Sequence, residues 1–157
     1  MTDSGNKKEM TCGEYLNGQR RALMEISDLS APGAVEKAEL YLSNIYAVSY
    51  QMNFERREPP SPHRPPAESE LLDRKLVQEM SDGLRHKAHA FQGITDDPWR
   101  LSQAMNCARQ GNGFPLIEMV NVAFLARTAQ NSQTQQETGK HAAPDQPERI
   151  APAGPAL

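Results

Sequence analysis

The stretch SAPGAVEKAELYLSNIYAVSYQMNFERRE, Ser30 to Glu58, carries two apolar stripes on one helical pattern and then runs into prolines. A surface helix of a small protein needs one stripe, so the second faces either another part of the chain or another molecule. The main stripe is Ala34, Val35, Ala38, Tyr41, Leu42, Ile45, Val48 and Met52. Rotated by more than about 100° from it lie Leu40, Ala47 and Phe54, spaced by sevens, with Tyr50 beside them. Ser30 is the expected N-cap and Pro32 falls in the first turn, where a missing amide hydrogen does no harm. These signals place a helix over 31–57.

On the N-terminal side, Cys12, Tyr15, Leu16, Ala22, Leu23, Ile26 and Leu29 share one face of a helix over 11–29, with Glu14, Arg21 and Glu25 opposite. Thr11 followed by Glu14 has the spacing of a capping box, in which each side chain satisfies the other's backbone amide. Residues 1–10 are polar and read as a flexible end.

On the C-terminal side, Pro59, Pro60, Pro62, Pro65 and Pro66 forbid a helix, so 58–67 reads as an extended connector. A helix over 68–91 follows, with Leu72, Leu76, Val77, Met80, Leu84, Ala88 and Phe91 on one face, Gly83 inside it and Gly93 as its stop. Asp97 caps a helix over 97–110, with Pro98 at its first position and Gly111, Asn112 and Gly113 ending it. The segment 115–128 is apolar on nearly every side apart from Glu118 and Asn121, which makes it the leading claimant to the middle of a bundle. In 130–157 the only large aliphatic residues are Ile150 and Leu157, too few to offset the entropy of ordering, so this segment reads as a disordered tail.

The fold expected is therefore all-α: a single-domain bundle of about five helices over 11–129. A chain of 157 residues is long enough to bury such a core. Its net charge of -3 argues against a broad electrostatic surface for nucleic acid. No run is long and apolar enough to cross a bilayer, and the first residues lack the apolar core of a secretory signal, so the expected location is cytoplasmic. Cys12 and Cys107 form no CxxC pair and read as two free thiols in a reducing compartment.

Several constellations bear on chemistry. Asp82, His86 and His89, at i, i+4 and i+7, could supply a carboxylate and two imidazoles to a metal, but they lie opposite the Leu72 to Phe91 stripe and read first as a solvated face. Asp96 and Asp97 read as part of a helix cap rather than an acid–base pair. Neither cysteine has a neighbour in sequence that would activate it, and no loop is built to cradle phosphate. A helix-turn-helix reading of the last two helices fails because the second is the most apolar segment of the chain. The Arg20-Arg21 and Arg56-Arg57 pairs keep a nucleic-acid-associated regulator as an alternative.

Arg56, Pro59 and Pro62 match the RxxPxxP ligand pattern of SH3 domains, and Pro59, Pro62 and Arg64 match the reverse PxxPxR pattern, although a stiff connector explains the same prolines. The surplus stripe of Leu40, Ala47, Tyr50 and Phe54 is the better partner-binding candidate, because an exposed apolar surface with aromatic anchors is what interfaces use. The function expected is a non-enzymatic interaction or regulatory module, without cofactor, that docks another protein or a second copy through a helix face.

Overall fold

In a computed structural model, the structure describes residues 9–56 and 66–142, with side chains as far as 132. The segment 57–65, and with it Pro59, Pro62, Arg64 and most of the expected connector, lies outside the described residues, as do 1–8 and 143–157. The described chain is all-α and forms six helices: α1 Cys12–Met24, α2 Ala34–Phe54, α3 Arg74–Asp82, α4 Gln92–Thr95, α5 Pro98–Ala108 and α6 Phe114–Ala142. Contacts divide it into one unit of Met1–Ala123, which holds the core, and a second of Phe124–Leu157, whose described part is the continuation of α6.

Capping chemistry sets several boundaries. Thr11 accepts from the Glu14 amide at 3.1 Å while the Thr11 amide donates to Glu14 Oε1 at 2.9 Å, completing the capping box that starts α1. Asp97 accepts from the Trp99 amide at 3.0 Å, and Pro98 opens α5. The start of α2 differs from expectation. Ser30 does not cap it; its amide and hydroxyl both donate to Asp28 Oδ1, closing a turn, and Gly33 at φ 80 leads into the helix.

The centre of the domain is α2, which corrects the assignment of that place to the 115–128 segment. Ala38, Leu42, Ile45, Ala47, Val48 and Met52 are fully enclosed on it, while α6 buries Leu116, Ile117 and Val120 and leaves Val122 68 % exposed. Both α1 and α3 pack on α2, and so does α5. Three polar residues of α2, Ser43, Ser49 and Gln51, are buried with them. Ser43 donates to the Glu39 carbonyl one turn back, and Gln51 is held by two backbone groups of another segment, so burial costs neither of them a hydrogen bond.

The expected single helix over 68–91 is broken. A 3-10 turn at Ala67–Ser69 is followed by an extended link, then α3, then a π-turn at Gly83–Lys87 closed by the Ala88 amide on the Gly83 carbonyl at 2.9 Å. The link pairs with the chain before α1: Leu72 donates to Met10 and Cys12 donates to Glu70 across an antiparallel bridge between Thr11 and Leu71. Gln51 fixes the same link from the other side, donating to the Leu71 carbonyl at 2.9 Å and accepting from the Asp73 amide at 3.0 Å. Asp73 then caps α3 by accepting from Leu76. Gly93, expected as a stop, instead lies inside α4. The last helix is described to Ala142, past the expected end at 128 and into the segment expected to be a disordered tail.

Side-chain ties fix the helices laterally. Asn44 joins α1 and α3 to α2, donating to Gln19 at 2.9 Å and accepting from Ser81 at 2.6 Å. Arg20 reaches from α1 to the end of α5, donating to the Ala108 carbonyl at 2.7 Å and to the Gly111 carbonyl, and so satisfies carbonyls that the helix terminus leaves open.

Candidate functional site

The surplus stripe of α2 divides along its length. Leu40 is half-buried and Ala47 is wholly enclosed, so neither end of that expected pair forms an open surface, and Ala47 belongs to the core. Tyr50 is half-buried and Phe54 is 52 % exposed, so the stripe opens only at the C-terminal end of the helix. There a residue of α6 joins it. The Tyr50 and Phe54 rings lie 5.0 Å apart and the Phe54 and Phe114 rings 5.9 Å apart, all tilted, which makes a strip of three aromatic side chains with Phe54 in the middle.

The turn between α5 and α6 holds this strip in place. Asn112 donates its amide to Asn53 Oδ1 at 2.7 Å and accepts from the Phe114 amide at 3.2 Å, tying the start of α6 to the end of α2. Asn53 in turn donates to the Ser49 carbonyl at 2.7 Å. Higher up, the Tyr46 hydroxyl donates to Asn121 at 2.7 Å. These two ties set the two helices antiparallel, with Phe114 beside Phe54. Phe114 lies one residue before the expected start of this helix at 115, and its place directly before Pro115 is the one sign of it in the sequence.

The metal candidate does not assemble. The π-turn widens the helix after Asp82, and His89 lies beyond it with φ 48, so the three side chains no longer share a face. Asp82 is occupied by Arg85 at 2.7 Å and by Gln78 at 3.0 Å, and Arg85 also stands 3.2 Å from His86. Among the described residues no group of three or more His, Cys, Asp or Glu could hold a metal ion.

The thiols are free, and Cys12 is buried. Burial, with Glu70 and Glu68 nearby adding to it, pushes the Cys12 thiol from 9.0 up to about 12, the opposite of what a nucleophile needs. The folded state therefore favours the protonated thiol. The stability it contributes is fully present below pH 9.0, the ordinary value, and is lost as pH rises from there towards about 12. Iodoacetamide applied to the native protein near neutral pH is expected to label the half-buried Cys107 first, with Cys12 following only on unfolding; equal rates at the two would contradict the burial of Cys12.

Two surface grooves, of about 440 and 460 Å³, flank residues 9 and 10. The first is lined by Leu71, Leu72, Asp73 and Arg74, the second by Glu14, Asn17 and Arg21. Asp73 and Glu14 are both engaged in helix caps, and neither groove brings a nucleophile to a base. Of the arginine pairs, Arg20 is spent on carbonyls at the end of α5, Arg56 is half-buried, and Arg57 lies outside the described residues. No described helix is long and apolar enough to cross a membrane. Comparison with protein-family models, with curated proteins and with solved structures finds no match.

Proposed function

We propose that this protein is a non-enzymatic interaction module that docks a partner protein on the strip formed by Tyr50, Phe54 and Phe114. The observation that carries the reading is an aromatic cluster left open to solvent on a scaffold whose neighbouring polar groups are tied down, Asn53 to Asn112 and Asn112 to Phe114. A rigid aromatic surface loses little side-chain entropy on binding, and aromatic anchors supply most of the energy at protein interfaces. Two free thiols suit a reducing compartment, so the setting proposed is cytoplasmic.

The test compares wild type with the Phe54→Ala/Phe114→Ala variant in affinity capture from the native cell, followed by titration of the purified partner. Because Phe54 is 52 % and Phe114 36 % exposed, the double variant is expected to keep its helical circular dichroism and lose only about 1–2 kcal/mol of stability. It is expected to lose the partner. Capture of the same proteins at the same affinity by both forms would remove the strip from the reading.

A further inference from the structure

We infer that the occupant of the aromatic strip is a short, extended or helical segment of another protein that presents arginine or lysine beside an apolar side chain; the inference rests on the docking reading above. Two physical quantities point to it, the size of the open surface and its charge.

The strip is small. A whole aromatic side chain buries about 150–250 Å². Tyr50 is half-buried, and Phe54 and Phe114 are 52 % and 36 % exposed, so together they offer a few hundred square ångströms at most. A stable contact between two folded proteins needs about 800 Å² from each. A second folded copy meeting only here falls short, whereas a single segment laid along three rings needs no more than this.

Among the described residues, two exposed carboxylates flank the rings, with the exposed Arg109 further back in the α5–α6 turn. Glu55 directly follows Phe54 and is exposed. Glu118 stands one helical turn after Phe114 on the same flank of α6 and is also exposed. The pairing of Phe54 with Phe114 and of Tyr46 with Asn121 sets the register of the two helices, and that register puts Glu118 level with Tyr50. Arg56, two residues after Phe54, is half-buried and already engaged in a contact of its own. Ring faces carry negative π density and attract cations. A guanidinium over the Phe54 or Phe114 face therefore meets attraction from the ring and from a carboxylate, while an incoming carboxylate meets repulsion from both. The neutral amides of Asn53 and Asn112 are turned onto each other and offer no counterweight.

The experiment uses the full chain and three short fluorescent synthetic peptides that share a leucine and tryptophan frame and carry Arg, Gln or Glu at the remaining positions. Fluorescence anisotropy is expected to rank them Arg, Gln, Glu, with the Arg peptide about tenfold tighter than the Gln peptide. That margin shrinks as salt rises from about 50 to about 300 mM. Glu55→Gln/Glu118→Gln narrows the Arg peptide's margin over the Gln peptide to the part that the rings supply and makes it insensitive to salt, and Phe54→Ala/Phe114→Ala removes binding of all three while the helical spectrum is retained. Equal binding of the Arg and Gln peptides that the aromatic variant abolishes would overturn the basic partner and leave the docking reading standing. Arg binding that survives the aromatic variant, or a Glu peptide that binds as well as Arg, would overturn the inference outright. Absence of binding by every peptide overturns it too, and sedimentation then separates the remaining cases: a dimer lost in the aromatic variant assigns the strip to a second copy, and a monomer removes the docking reading as well.

Discussion

Gly113→Ala is expected to destabilise the protein by about 3 kcal/mol, with a fall in melting temperature of roughly 10 °C. Gly113 sits at φ 84 in the turn before α6, a left-handed conformation that costs a residue with a Cβ about 1–2 kcal/mol. The added carbon would also overlap Ser49 Oγ and stand 2.8 Å from Ser49 Cβ. Ser49 is fully buried in the central helix, so the backbone beneath it cannot yield, and the overlap adds about 1–3 kcal/mol. Gly111 is the internal comparison. It has φ 52 but nothing within 4 Å of a built Cβ, so Gly111→Ala should cost only the backbone part, about 1 kcal/mol. Ser49→Ala should be neutral or stabilising by up to about 1 kcal/mol, because the Ser49 hydroxyl is buried without a hydrogen-bond partner. In that background Gly113→Ala should recover part of its loss. Urea denaturation followed by circular dichroism measures all four; equal midpoints for Gly113→Ala and Gly111→Ala would show that the contact with Ser49 does not constrain the turn.

Gln51→Leu is expected to cost about 2–5 kcal/mol despite being a polar-to-apolar change at a buried position. The side chain is fully enclosed, and its amide serves two backbone groups, the Leu71 carbonyl and the Asp73 amide. Leucine fills a similar volume but leaves both groups without a partner, each at about 1–3 kcal/mol. The damage should be local first. The link before α3 loosens, and with it the pairing of Leu72 with Met10 and of Cys12 with Glu70. Hydrogen exchange is expected to show early loss of protection at the Leu72 and Cys12 amides. A leucine variant within about 0.5 kcal/mol of wild type would mean that the link is held by something other than this amide.

These two residues also explain where a linear reading stops. The capping box at Thr11 and Glu14 and the cap at Asp97 were legible because the interacting groups lie within three residues of each other. The apolar spacing from Leu72 to Phe91 was equally clear and yet misleading. It reports that those positions seek burial, and a broken path of 3-10 turn, link, α3 and π-turn meets that demand only in part: Val77 and Phe91 are buried, while Ala88 is exposed. What breaks the helix is Gln51, far away in sequence, together with the strand-like pairing to Met10. The candidate site was half legible: Tyr50 and Phe54 follow from periodicity, whereas Phe114 enters only through the amide tie between Asn53 and Asn112.

Sequence alone determined that the chain is helical, where α1 and α5 begin, and that the Ser30 to Glu58 stretch carries more apolar surface than one contact can use. Those properties are local, set by backbone propensity, caps and side-chain spacing. Tertiary structure decided that α2 and not the last helix lies at the centre, that Ala47 is sealed while Phe54 stays open, and that Asp82, His86 and His89 do not converge. Burial is a property of what arrives from elsewhere in the chain, and a polar residue such as Gln51 can occupy the core once a distant backbone supplies its hydrogen bonds.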